Sequence, residues 1–268
     1  MNLKSDNAAE ASLWGMFDLT GKVAIITGAS KGLGVSYARG LAKAGCDLVL
    51  TARNTENLQK VAEEIEQYGH RVLPIGMDVR VAEEIDRAVK LAVTKLGRID
   101  ILVNNAGISA INDAEEMSEH EWKNVIDTNV TGVFLCAQRV GRIMIEQKQG
   151  KIINIASMYA FVASSLVSQV SYVTSKAAVL GLTKELAVEW GPKGVQVVGL
   201  APGFFRSDQT VWAFENNPEI GRKLLQKVPM GRMGKLEELE GTIVYLASAA
   251  SDYMQGQTLV LDGGFLSW

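Results

Sequence analysis

Cysteine and histidine are nearly missing from this 268-residue chain, which holds two of each. Cys46 and Cys136 form no Cys-x-x-Cys pair, so no disulfide framework is expected and both read as buried, reduced thiols. His70 and His120 are far apart and flanked by charge, which argues against a histidine-based triad or a zinc site. Both histidines read as surface side chains, and no metal is expected. No apolar run approaches the ~18 residues that a membrane helix needs. An excess of basic residues is also lacking. With 27 Lys and Arg against 30 Asp and Glu the net charge is −3, which excludes a general nucleic-acid binder. Residues 1–15 are polar and alanine-rich without a signal-peptide core, which points to a cytoplasmic protein. What is present is 47% hydrophobic residues, 21% charged residues and 26 glycines, a composition that suits a globular chain with a sizeable core.

Short apolar runs recur at 22–27, 48–50, 72–75, 101–103, 152–155, 195–200 and 259–261. Near-continuous apolar strands are what a sheet covered on both faces requires. Helical stretches at 35–44, 55–68, 81–96 and 118–147 alternate with them. The expected fold is therefore α/β: one doubly wound parallel sheet of about seven strands, with helices on both faces. No linker or repeat divides the chain, so a single domain is expected over 19–268, preceded by an arm over 1–18.

The first run feeds Thr27-Gly28-Ala29-Ser30-Lys31-Gly32-Leu33-Gly34, after which the pattern turns helical. Glycines let a backbone approach a pyrophosphate, and a helix N-terminus offers it free N–H groups. The Gly-x-x-x-Gly-x-Gly spacing differs from the commoner Gly-x-Gly-x-x-Gly fingerprint, but its place between strand and helix predicts nucleotide binding. The second strand indicates which nucleotide. An NAD site would carry a carboxylate at its C-terminal end, whereas this strand finishes Leu50-Thr51-Ala52-Arg53. Asp47 stands at the wrong end of it. Arg53 and Lys31 together favour the 2′-phosphate of NADP over NAD. After the third strand, Asp78-Val79 either accepts a hydrogen bond from an adenine amino group or caps the following helix.

The fourth strand ends in Asn104-Asn105-Ala106-Gly107, a run able to tie neighbouring loops together while small residues face a flat cofactor. Ser118 and Glu121 form a capping-box pattern. Downstream, Thr128-Asn129-Val130-Thr131-Gly132 is a run of poor helix formers inside a long helical stretch, where either tight packing or a local opening is expected. Asn129 is a candidate for fixing a water in a proton path. The fifth strand ends at Ser157, and Tyr172 and Lys176 follow at helical i, i+4 spacing. That spacing places both side chains on one face, about 5–6 Å apart at Cβ. An ammonium there favours the phenolate, so Tyr172 is expected to titrate below the usual phenol range and to act as general acid and base.

Phe17-Asp18-Leu19-Thr20-Gly21-Lys22, the glycine turn, Asn104-Asn105-Ala106-Gly107, Ser157, Tyr172-x-x-x-Lys176 and Pro202-Gly203 stand in one order. In that set the chain resembles the short-chain dehydrogenase/reductase family from Phe17 onward. The resemblance implies a Rossmann fold and hydride transfer between a nicotinamide and a carbonyl carbon. It makes Tyr172 the proton donor, lets Ser157 orient and polarise the carbonyl, and lets Lys176 hold the nicotinamide ribose while tuning Tyr172. Asn129 would hold a relay water. Gly28, Ser30, Lys31, Gly32, Leu33, Gly34, Arg53, Asp78, Val79, Asn105, Ala106, Gly107, Pro202, Gly203 and Ser207 would line NADP(H). Ser207 stands where the family usually has a threonine, and Ser157 and Tyr172 lie slightly further apart than is usual. Relatives are usually homotetramers or homodimers, and the tail Phe265-Leu266-Ser267-Trp268 suggests a buried contact between subunits.

Residues 204–233 follow the sixth strand and form the expected substrate lid. Ser157, Tyr159, Phe161, Phe204, Phe205 and Trp212 are the expected pocket residues, suited to a ketone with a hydrocarbon arm, while Arg206 would suit an acidic substrate. The opening motif and the lid loosely resemble gluconate 5-dehydrogenase-type members. An alternative is a 3-oxoacyl-[acyl carrier protein] reductase, with Lys148 and Lys193 meeting the acidic carrier. A second is a catalytically silent NADPH-binding sensor.

Overall fold

The computed structural model describes residues 13–164 and 166–267, apart from the side chains of Asp208, Gln209, Trp212 and Ala213. Most of the arm and Trp268 of the tail lie outside the described residues, while Leu13–Phe17 forms one short, mostly exposed 3-10 turn.

All seven apolar runs become strands. They are β1 (Val23–Thr27), β2 (Asp47–Ala52), β3 (Val72–Gly76), β4 (Ile101–Asn104), β5 (Gly150–Ile155), β6 (Val195–Pro202) and β7 (Thr258–Leu261). They pair in parallel in the order β3-β2-β1-β4-β5-β6-β7. Every residue of β1 and β4 is buried, as strands covered on both faces must be. Pro74 sits on β3 at the edge of the sheet, where a missing N–H costs no ladder bond.

Side chains alternate along each strand into two cores. Ala24 and Ile26 pack beneath α1 (Leu33–Lys43), α2 (Thr55–Glu66) and, further along the chain, α9 (Glu238–Ala247). Val23 and Ile25 face α3 (Ala82–Leu96) and the later helices α5 (Gly132–Gln147) and α6 (Val170–Trp190). Both cysteines are buried here and burial pushes both thiols up, so they are packing groups and not nucleophiles. His120 is exposed, while His70 is half-buried.

The long helical stretch over 118–147 is interrupted. α4 (Glu119–Ile126) begins with the expected capping box and gives way at Asp127–Thr131 to a π turn, after which α5 resumes. The two remaining helices, α7 (Asp208–Asn216) and α8 (Pro218–Gln226), lie in the lid.

The sheet order reverses between β1 and β4, so the crevice between their C-terminal ends is where a doubly wound sheet binds ligands. No helix among the described residues is long and apolar enough to cross a membrane.

Candidate active site

The glycine turn opens on that crevice. Gly28 and Gly32 have φ of 67° and 62°, the left-handed region that favours glycine. A Cβ on Gly28 would fall 2.8 Å from the Ala106 Cα, and one on Gly34 would fall 2.5 Å from the Gly28 carbonyl oxygen. Only hydrogen fits at either position. Gly32 caps α1 without any side-chain hydrogen bond, leaving the first N–H groups of an 11-residue helix free for an anion.

Asn105 fixes the turn from the next strand, as its residue pattern suggested. Its side-chain amide donates to the carbonyls of Thr27 and Gly28 at 2.9 and 3.1 Å. The Thr27 hydroxyl accepts from the backbone N–H groups of Asn105 and Ala106, both at 3.0 Å. Asn104 turns the other way and donates to the side-chain Oδ1 of Asn154 at 2.9 Å, deep in the core.

At the end of β2, Arg53 is exposed and forms no hydrogen bond or ion pair with another described residue, and Lys31 is exposed in the glycine turn. Asp47, by contrast, is taken up at the far end of β2 by Arg71, at 2.6 and 2.8 Å. Asp78 does not cap α3, whose N-cap is Val81. Arg80 grips the Asp78 carboxylate at 2.6 Å and holds it below the usual carboxylate range. Val79 is buried against Gly132, where a Cβ would come within 2.7 Å of it.

Ser157, Tyr172 and Lys176 converge at the ends of β5 and α6. Ser157 is buried, and its hydroxyl accepts the Tyr159 N–H at 3.2 Å. Burial raises the Tyr172 phenol above its ordinary value, and a hydrogen bond with Ser157 opposes that rise. The expectation of a lowered phenol is thereby corrected. Lys176 is only 5% exposed, its ammonium donates to the Ile155 carbonyl at 2.7 Å, and burial pulls its pKa down to about 8. The nitrogen stands 5.7 Å from the centre of the Tyr172 ring. A group that itself resists charging cannot pull a buried phenol far down.

Asn129 lies inside the π turn and is fully buried. Its side chain holds both backbone groups of Ile108, at 2.9 and 2.8 Å, and donates to the Ser175 hydroxyl at 2.9 Å. It thereby binds the loop after β4 to the helix carrying Tyr172 and Lys176. Gly107 completes the floor, since a Cβ there would lie 3.3 Å from the Asn129 oxygen and 3.6 Å from the Lys176 nitrogen.

Across the crevice, Gly203 donates to the Leu261 carbonyl at 2.8 Å at the end of β6. The Ser207 hydroxyl accepts the Thr210 N–H at 3.3 Å and so starts α7, and its Cβ faces the Gly32 position at 3.7 Å. The expected pocket aromatics divide. Tyr159 and Phe204 meet edge to face at 6.2 Å between ring centres. Phe205 points the other way, 5% exposed in the core against Gly234, and Phe161 is 47% exposed. Trp212 lies on α7, and its side chain is outside the described residues. Two further rings complete the cluster, Phe214 from among the aromatics of the expected lid and Phe265 from the tail, where the sequence suggested a subunit contact instead. Phe214 stands 5.5 Å from Phe204, and Phe265 stands 5.9 and 6.2 Å from Phe204 and Tyr159.

A family model described as short chain dehydrogenase matches residues 22–217. Among curated proteins, the 2-dehydro-3-deoxy-D-gluconate 5-dehydrogenase of Dickeya dadantii is 41% identical over 94% of this chain and 98% of its own. The 3-oxoacyl-[acyl-carrier-protein] reductase of Synechocystis is 40% identical over 94% and 99%. Among solved structures, a gluconate 5-dehydrogenase from Burkholderia cenocepacia in complex with NADP and tartrate is 37% identical. It superposes with a TM-score of 0.90, over 95% of this chain and 99% of that one.

Proposed function

The chain belongs to the short-chain dehydrogenase family, and on that premise we propose that it interconverts a ketone and a secondary alcohol with NADP(H), Tyr172 giving and taking the proton. The observation that carries this reading is the meeting of Ser157, Tyr172 and Lys176 at the crevice beneath the glycine turn.

The residues present fit a dinucleotide. The uncapped start of α1 and the glycine turn would take the pyrophosphate, and Lys176 would take the nicotinamide ribose. Asn105, Ala106, Gly107, Pro202, Gly203 and Ser207 would frame the nicotinamide, with Asp78 and Val79 beside the adenine. NADPH, when bound, supplies the hydride. The protein supplies the rest. Ser157 and Tyr172 donate hydrogen bonds to the substrate oxygen, and these strengthen as negative charge grows on it, which favours the transition state over the bound ketone. Tyr172 then releases its proton to that oxygen. A phenol kept protonated by burial is well matched to this step. Asn129, lodged in the π turn, would hold the water that returns the proton.

A spectrophotometric assay of NADPH oxidation across a ketone panel tests the reading. No turnover with any ketone, despite NADPH binding, would instead favour the silent sensor.

Arg53 carries the cofactor choice. Arg53→Ala is expected to weaken NADPH binding by roughly tenfold or more, the size of one lost charge-assisted contact, and to leave NADH nearly unchanged. Fluorescence titration with both nucleotides checks it, and equal losses for the two would remove Arg53 from 2′-phosphate recognition.

The carrier-protein alternative is weaker. Lys148 and Lys193 are exposed, but they precede β5 and β6 and so stand at the strand ends opposite Ser157. A strand of six residues at ~3.3 Å each puts them about 20 Å from the reacting groups.

The reading also makes the protein a cytoplasmic homotetramer or homodimer. α6 supports this by exposing Thr174, Ala177, Ala178 and Gly181, a small and mostly apolar strip that Lys184 and Glu185 follow on the same face. Light scattering on the purified chain checks it, and a monomer at micromolar concentration would contradict it.

A further inference from the structure

The tail after β7 is a built element. Gly263 and Gly264 have φ of 66° and 90°, and the Asp262 carboxylate accepts the N–H groups of Gly264 and Leu266 at 2.8 and 2.9 Å. Both glycines pack tightly, Gly263 on Val228 and Gly264 on Pro229, where the lid returns to the body. The Met230 N–H donates to the Gly263 carbonyl at 3.2 Å. The turn is thus pinned between the two ends of the lid, and it aims Phe265 at Tyr159 and Phe204.

These rings stand beside the reacting groups. Tyr159 gives its backbone N–H to the Ser157 hydroxyl, and Phe204 directly follows the Pro202-Gly203 end of β6. Phe214 of the lid helix closes the cluster against Phe204. Of the polar groups around it, Arg232, Asp262 and Lys176 are already engaged within the chain, while the buried Ser164 hydroxyl near Tyr159 has no partner among the described residues. Arg232 is held by both Glu238 oxygens at 2.7 and 2.8 Å, Asp262 by its own turn, and Lys176 by Ile155. A polyhydroxylated acid needs several free polar partners beyond those that hold its carbonyl, because each unpaired hydroxyl taken out of water is costly.

We infer that Phe265, with Tyr159, Phe204 and Phe214, forms the wall against which the substrate's larger substituent rests, that Phe265 is a specificity-determining residue, and that the substrate is a ketone bearing an apolar, ring-sized group. The inference rests on the oxidoreductase reading above and narrows it. In the reduction, hydride from NADPH forms the new C–H bond, the proton from Tyr172 forms the O–H bond, and the products are the secondary alcohol and NADP+.

The test uses the full chain and three measurements. NADPH affinity by fluorescence titration tests the underlying reading alone. The second is kcat/KM for acetone, cyclohexanone, a bulkier alkyl-substituted cyclohexanone and a six-carbon polyhydroxy keto acid, in wild type and in Phe265→Ala and Phe265→Leu. The third is ligand-observed NMR of cyclohexanol with the NADPH-loaded protein, a pair that cannot exchange hydride, so it reports binding without turnover.

Wild type is expected to prefer cyclohexanone to the keto acid by at least about tenfold. Phe265→Ala is expected to raise KM for cyclohexanone by about tenfold and shift preference toward the bulkier ketone, with acetone little affected. Leucine restores part of the discrimination. NADPH affinity stays within about twofold of wild type.

A preference for the keto acid would overturn the inference and point to Arg206, exposed beside Phe205, as an anchor for an anionic substrate. Equal losses for every ketone would reduce Phe265 to a folding role, and cyclohexanol that does not bind would also overturn it. Failure to bind NADPH would instead sink the underlying reading, and the narrower claim with it.

Discussion

Tyr172→Phe is expected to lower carbonyl reduction by ~10² or more while the fold and NADPH binding survive. The substitution removes one oxygen and keeps the ring, so α6 and its contacts are retained. In the proposed mechanism, what disappears is the donor of the proton that the product alcohol receives. Ser157, which polarises the carbonyl in that mechanism, would remain, so residual turnover is expected.

The pH dependence gives a second reading of the same residue. Burial raises the phenol above its ordinary value, so the acid form persists through neutral pH and reduction should hold level there, falling only on the alkaline side. Alcohol oxidation needs the phenolate and should climb with pH from neutrality, by up to about tenfold per unit. The phenylalanine variant should show neither dependence. Rate–pH profiles in both directions decide the matter, and a variant with wild-type rates would take Tyr172 out of the mechanism.

Lys176→Met should separate activity from stability. The ammonium is buried, has one backbone acceptor at 2.7 Å, and titrates near 8. Replacing a buried charge with an apolar side chain of similar length is often neutral or stabilising. Removing the group that would hold the ribose beside Tyr172 should nevertheless cost ~10²-fold or more in kcat/KM.

With a folded pKa of about 8 against an ordinary 10.5, the unfolded chain binds more protons between those values, so wild-type stability rises across that interval. The variant should lose that rise. Thermal melts from pH 7 to 10.5 measure it. A large drop in Tm at pH 7, or a rise with pH that survives the substitution, would mean that Lys176 is chiefly structural or was assigned the wrong titration.

Much of this site is legible in the residues because its parts are local. A glycine turn between a strand and a helix, paired asparagines, and a tyrosine one helical turn from a lysine are short-range patterns, and the structure brings them to one crevice. The π turn was half legible. Thr128, Asn129 and Thr131 disfavour a regular helix, but only the contact with Ile108 shows what holds the interruption in place.

Three features are not local and were misread or missed. The titration of Tyr172 follows from burial, which i, i+4 spacing does not report. Phe204 and Phe205 are neighbours in sequence, yet one joins the ring cluster while the other enters the core. Phe265 reaches its partners because β7 is laid beside β6, a consequence of strand order that the tail's own sequence does not reveal.

The place of β1 in the sheet has a consequence for how the chain is made. It lies between β2 and β4, so one side of an entirely buried strand waits for a partner encoded far downstream, at 101–104. During synthesis the nascent chain therefore carries a sticky, unpaired edge until that segment leaves the ribosome. Chaperone demand should peak early in translation and fall sharply once β4 docks.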